Sequence, residues 1–185
     1  MLLSYAIAVA AILAWIALYL YWTAIRLDQL HARVDAAAGA LEAQLRRRGT
    51  TAAEFAASAP LPADVVGGLR HSIVAAAQVV GLGSDRELAE TEVTRALFRA
   101  ADALAGRLGT AAEITTEMHD EALRASFARR FYNDTVRDAL VVRDRRLVRW
   151  LRLAGHAPHP AYFEMEDAEL PMVTISFASR PTIGA

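Results

Sequence analysis

Four short stretches hold residue types at spacings that could do chemistry. "RELAETE", Arg86 to Glu92, sets an arginine among Glu87, Glu90 and Glu92, a carboxylate run of the kind that can hold divalent ions. His156 and His159, three residues apart, could approach one metal ion, with Glu164 or Glu166 as an oxygen ligand. His119 sits in "MHDE", which lacks the second histidine of the helical HExxH zinc pattern. "RRFYNDTVRD", Arg129 to Asp138, gathers acids, bases, an aromatic pair and an amide with no glycine or proline to mark a loop.

Each has a plainer reading. The first resembles the Nudix motif, but that motif also needs an upstream Gly and Glu and a second adjacent Glu followed by Gly. Here those places hold Ser72, Gln78, Thr91 and Val93. A capping box, Ser84 with Glu87, accounts for the same residues without a metal. A Nudix-like pyrophosphate hydrolase is therefore kept only as the enzymatic alternative. His156 and His159 lie beside prolines and read as surface loop; His119 reads as an exposed helix residue, and His31 and His71 as single helix histidines. There is no glycine-rich phosphate loop and no GxSxG elbow, and with no cysteine there is no disulfide, thiolate metal site or thiol nucleophile. The expectation is a protein without catalytic residues, cofactor or metal. All 20 basic residues are arginine and the formal charge is -1, which argues against nucleic acid as a partner.

The elements that would position these residues begin with an anchor. Met1 to Ile25 contains no charged side chain, and a helix of that length spans roughly 37 Å, enough for a hydrocarbon core of about 30 Å. Tyr19, Tyr21 and Trp22 gather at its far end, where amphipathic rings favour the headgroup boundary. A cleaved signal peptide would carry a basic start and a small-residue cleavage site; Met1 to Tyr5 has no Lys or Arg, and aromatics occupy the cleavage region. Arginines flank only the C-terminal side (Arg26, Arg33, Arg46, Arg47, Arg48), so the positive-inside tendency puts the N-terminus out and the body in the cytoplasm.

Past Arg26 the apolar positions Leu27, Leu30, Val34, Ala37, Leu41 and Leu45 recur at helical steps, making anchor and first domain helix one rod to Gly49. Thr51-Ala52-Ala53-Glu54 reads as a capping box opening a short helix that Pro60 and Pro62 interrupt. A second stripe holds Val65, Leu69, Ile73, Ala76 and Val80, ended by Gly81 and Gly83. A third, after Ser84, holds Leu88, Val93, Leu97, Ala100, Leu104 and Leu108. A fourth helix, from a capping box at Thr110, runs from Ala111 to Ala154, about 66 Å against about 35 Å for the soluble part of helix one. It must bend or break near Asp138 to Arg146. The fold class is all-α: a transmembrane helix (1–25) continuing into an antiparallel four-helix bundle (26–155), then an irregular, mostly mobile tail (156–185) in which Met172 to Phe177 fits a short strand. Up-down order returns the end of helix four to the bilayer, where Arg143, Arg145, Arg146, Arg149, Trp150 and Arg152 suit contact with anionic lipid; the alternative is that they solvate a helix C-terminus.

In "RRFYNDTVRD" the residues Arg129, Tyr132, Asn133 and Val136 share one helix face, which Leu140 and Leu147 prolong and which packs on the other helices. Arg129 and Asn133 would bond each other or a carboxylate such as Glu42, Glu92 or Asp102, while Arg130, Asp134, Arg137 and Asp138 face water. Ala128 to Asp138 resembles the signature of LemA-family proteins at Arg129, Tyr132, Asn133, Val136 and Arg137. "RVDAAAGALEAQLRRR" is similar to that family's first domain helix at Arg33, Val34, Ala37, Leu41, Gln44, Leu45, Arg47 and Arg48, and "AYFEMEDAE" to its closing aromatic and acidic stretch. Departures are "GTTAAEFAA" where the family has an LIPNLV-like segment, and Ala38 or a neighbour where a Trp is usual. The resemblance implies a single-pass inner or plasma membrane protein with a long antiparallel helical domain, and no established enzymatic activity. The function expected is a membrane-anchored, non-enzymatic scaffold or adaptor with protein partners; a further alternative is an outward-facing envelope-stress or lipid-sensing protein.

Overall fold

The computed structural model describes residues 2–104, 111–145 and 159–166, and over them the chain is all-α. Four helices follow one another: α1 (Leu2–Ser58), α2 (Ala63–Gln78), α3 (Ser84–Leu104) and α4 (Ala111–Arg143).

α1 is one unbroken helix of 57 residues, or about 85 Å. Its first 25 or so residues touch little else: Leu3, Ile7, Trp15 and Trp22 are among the exposed large apolar side chains. This part is long and apolar enough to cross a membrane. Burial begins at Leu27 and recurs at Val34, Ala37, Leu41, Leu45, Arg48, Ala52 and Phe55, three or four residues apart after the first step. The anticipated break at Gly49 is absent. Ala52 lies in the core and Thr50 Oγ1 donates back to the Arg46 carbonyl at 3.2 Å, so the Thr51 capping box is bypassed. The apolar stripe carries on through it, and packing outweighs a local capping preference. The helix stops where Pro60 and Pro62 forbid continuation, with the Ala59 amide donating to the Phe55 carbonyl at 2.9 Å.

α4 runs antiparallel along the same stripe: Gln44 on α1 donates to Glu121 on α4 at 2.7 Å, and Leu27 packs with Val142 far along both helices. The length mismatch expected between the two helices disappears from both ends. From Arg26 to Ser58 α1 measures about 50 Å, and the 33 residues of α4 measure about 50 Å. α4 ends at Arg143 with a turn in which the Arg145 amide donates to the Val142 carbonyl at 3.3 Å, inside the window where a break was expected. Residues 146–154 of the foreseen continuation, and Met172 to Phe177, lie outside the described residues.

α2 and α3 pack on each other and close the far end over Phe55, Ala56, Leu69, Val93, Leu97 and Met118. Gly81 joins them at φ +80°, a left-handed conformation glycine adopts without a Cβ penalty. Two stripes shift from expectation. Val80 lies past the end of α2 and Leu88 is 69% exposed, because the buried register of α3 is Arg86, Glu90, Val93, Leu97, Ala100 and Leu104. The midsection core joins Leu41, Leu45, Ala125, Tyr132 and Val136 to Phe163 and Met165, which come from the tail. The described part of that tail, 159–166, has no helix or strand, as read from sequence, but it is docked rather than mobile.

Candidate functional site

The densest polar chemistry lies on the buried stripes. Arg48 occupies the α1 core position after Leu45 and is fully buried. Its guanidinium pairs with the Glu90 carboxylate, donates to the Glu90 carbonyl at 3.1 Å and donates to Thr94 Oγ1 at 3.1 Å. Arg86, one turn before Glu90, donates from Nε to the other Glu90 oxygen at 2.7 Å and from its NH1 group to the Val79 carbonyl at 2.8 Å. One carboxylate therefore serves two guanidiniums and ties α1, α3 and the α2–α3 turn together. Arg48 Nε is buried with no hydrogen-bond partner among the described residues. A buried charge left without its partner costs about 3 to 5 kcal/mol, so this triad tolerates little change.

Residues 159–166 lie across α3 and α4 as an extended strap. The Asn133 amide grips Phe163 twice: Nδ2 donates to the Phe163 carbonyl at 3.1 Å, and the Phe163 amide donates to Oδ1 at 2.9 Å. Tyr132 donates its hydroxyl to the Ala161 carbonyl at 2.9 Å. Burial, and after it the negative charges of Asp35 and Glu87, hold the Tyr132 phenol above its ordinary value, so it keeps the proton that it donates. Arg129 approaches Glu164 at 3.6 Å. From α3, Glu87 accepts the Glu164 amide at 2.7 Å, Thr91 Oγ1 accepts the Glu166 amide at 3.3 Å, and Arg95 pairs with Glu166 at 2.8 Å. Between these contacts the Phe163 and Met165 side chains drop into the midsection core. The alternation of inward Phe163 and Met165 with outward Glu164 and Glu166 has the period of an extended chain on a half-buried surface.

Three of the residues singled out on the α4 face meet at this strap. Arg129, Tyr132 and Asn133 hold it, Val136 is fully buried beside them, and Arg137 faces out and pairs with Asp134 at 3.1 Å. The partners differ from expectation: Arg129 and Asn133 reach the strap, whereas Glu42 pairs with Arg46 and Glu92 with Arg95. The face continues through Ala139 and Val142, with Leu140 at its edge and Leu147 outside the described residues. Glu87 accepts the strap amide, and its own amide donates to the Gly83 carbonyl at 3.0 Å, so α3 already includes Ser84, which was expected to cap it. The Arg86–Glu92 carboxylates point to separate places: Glu87 to the strap, Glu90 inward and Glu92 to Arg95. His119 is half-buried rather than exposed, with Nδ1 shielded and unbonded among the described residues. His159 is exposed, Glu164 and Glu166 face arginines, and His156 lies outside the described residues. Among the described residues there is no group of three or more His, Cys, Asp or Glu placed to hold a metal ion.

Apolar periodicity alone does not mark Arg48, Arg86 and Glu90 as a buried triad. The signal was available in their spacing: Arg48 continues the steps of Leu41 and Leu45, and Arg86 and Glu90 precede Val93 and Leu97 at the same steps.

A second site lies at the other end of α4, where it returns beside the exposed apolar part of α1. A groove of about 780 Å³ runs between the two helices, with Tyr19 and Trp22 on one side, Arg26 and Arg33 below them, and Asp138 and Arg145 from α4. Of the arginines and Trp proposed for the interface, Arg143 is half-buried in the last turn of α4 and Arg145 lines this groove; Arg146, Arg149, Trp150 and Arg152 lie outside the described residues.

No family model, no curated protein and no solved structure matches the chain.

Proposed function

We propose that the chain is a divergent LemA-type protein that acts as a single-pass, non-enzymatic scaffold or adaptor, with its N-terminus outside and its helical domain on the cytoplasmic face of the inner or plasma membrane. The observation that carries this reading is the continuity of α1, which passes from an exposed apolar stretch into the buried core of the domain without a break. An anchor of that construction transmits position and orientation, where a flexible linker would transmit only proximity. α4 and the strap support it, because they fasten the domain to the rod along its length. The LemA resemblance adds the same expectation from the strap-binding residues Arg129, Tyr132 and Asn133.

An anchor that stays in the mature protein leaves the full chain in the pellet after alkaline carbonate extraction of membranes. In-cell cross-linking of the full chain should then enrich a reproducible set of membrane proteins, and purified full chain should not hydrolyse nucleoside diphosphate derivatives with magnesium or manganese. Release by carbonate would end the anchored reading. Pyrophosphate hydrolysis lost on Glu90→Gln would replace the scaffold with a Nudix-like enzyme.

A further inference from the structure

The groove between α1 and the end of α4 is built differently on its two rims. Toward the N-terminus it is walled by Tyr19, Trp22, Thr23 and Ile25, from the stretch apolar enough to cross a membrane. One turn further along α1 the lining changes to Arg26, the first charged residue of the chain, and then Arg33, while α4 contributes Arg145 and Asp138. Three guanidiniums thus face one carboxylate, and among the described residues none of the three arginines is paired with an acid. Elsewhere on the molecule exposed arginines such as Arg46, Arg95, Arg124 and Arg137 do have carboxylate partners. A volume of about 780 Å³ is in the range of small-molecule sites. Positive charge at Arg33 and Arg26, then the indole and phenol rings and apolar wall toward Tyr19, spread along about four helical turns, match a phosphodiester headgroup, its glycerol ester region and its acyl chains.

We propose that this groove is a binding site for one anionic phospholipid of the leaflet facing the domain. The phosphate accepts hydrogen bonds from Arg26, Arg33 and Arg145, whose guanidinium forks suit phosphate oxygens, and the acyl chains lie along Trp22 and Tyr19. A bound lipid would bridge α1 and α4 where Leu27 and Val142 make the last core contact among the described residues, completing the junction of domain and bilayer. Asp138 limits the affinity of the site, since its carboxylate repels the phosphate and offsets part of the attraction of the three arginines. The inference rests on the anchored reading of α1.

The test uses the full chain reconstituted in vesicles of phosphatidylglycerol and phosphatidylcholine, extracted into mild detergent and weighed with its retained lipid by native mass spectrometry. One phosphatidylglycerol should be retained over phosphatidylcholine by about tenfold or more, given the attraction of an anionic lipid to each nearby arginine. Combined Arg26→Gln, Arg33→Gln and Arg145→Gln should abolish that preference. Combined Arg46→Gln, Arg47→Gln and Arg70→Gln, which removes the same charge from exposed positions elsewhere, should leave it unchanged, and Asp138→Asn should strengthen it. Equal retention by the groove variant and the wild type, an equal loss in the control variant, or weaker retention in Asp138→Asn would each overturn the site. So would displacement of the lipid by excess inorganic phosphate, which would mark a site for free phosphate. Carbonate extraction of the same preparations separates the two levels of failure. Wild-type chain released by carbonate sinks the anchored reading and the site together; chain that stays in the membrane without lipid preference sinks the site alone.

Discussion

Asn133 is the residue on which the strap depends most directly, because its amide satisfies both the carbonyl and the N–H of Phe163. Asn133→Ala should lower stability by about 1 to 3 kcal/mol in urea unfolding, the cost of leaving shielded backbone groups unpaired. It should also speed chymotryptic cleavage at Tyr162 and Phe163; an unchanged cleavage rate would show that the strap does not rely on this amide. At the buried triad, Glu90→Gln should be worse than Arg48→Met. The first strands two guanidiniums at a cost of about 3 to 5 kcal/mol, whereas the second leaves Glu90 still paired with Arg86. Reversal of that order in paired unfolding curves would mean that Arg48 carries the site alone. Tyr132 makes a prediction about pH. Its phenol is held above its ordinary value in the folded chain, so its contribution is fully present below the unfolded value of about 10 and is lost as pH rises through the folded one. Tyr132→Phe should flatten the alkaline fall in melting temperature, and an unaltered slope would remove this residue from the account.

At the scale of elements, the run of α1 through Gly49 is the clearest departure from local sequence signals, and it can be tested there. A Cβ at Gly49 would meet Ile73 Cγ2 at 3.9 Å, an ordinary contact. Gly49→Ala should therefore raise stability by about 0.5 to 1 kcal/mol by removing glycine's entropy cost inside a helix, whereas a real break at Gly49 would make the change neutral or harmful in thermal melts. The four long helices and their order were readable because each carries an apolar stripe at three- and four-residue steps, whereas the separate short helix expected at Thr51 is part of α1. Leu27, Val34, Ala37, Leu41 and Leu45 lie where that spacing put them. Thr51 failed as a boundary because a capping signal is worth little against the burial of Ala52, Phe55 and Ala56. The triad was missed for the opposite reason: Arg48, Arg86 and Glu90 occupy core positions, and a search for apolar residues steps past charges. The strap was illegible as a partner because eight residues without helical or strand periodicity announce no docking surface, although the alternation of Phe163 and Met165 with acids was present in the chain. The residues that hold it, Arg129, Tyr132 and Asn133, were singled out on the correct helix face and assigned to the wrong neighbours.

For the whole molecule, the matched lengths of α4 and the domain part of α1 make the protein a two-helix shaft, capped by α2 and α3 and fastened midway by the strap. The same shaft extends past Leu27 into the apolar stretch, so under the proposed anchoring anything bound on the domain would be held at a set height above the bilayer. The claim at the centre of this account is that one helix both crosses the membrane and forms the core of a cytoplasmic domain. Because the chain contains no cysteine, single introduced thiols report on it without background. With Leu3→Cys and Ser58→Cys placed near the two ends of α1, a membrane-impermeant maleimide applied to intact cells should label the first and reach the second only after permeabilisation, with both variants remaining in the carbonate-extracted membrane. Labelling of Ser58→Cys in intact cells would contradict the cytoplasmic placement, and recovery of either variant in the carbonate supernatant would contradict the anchor.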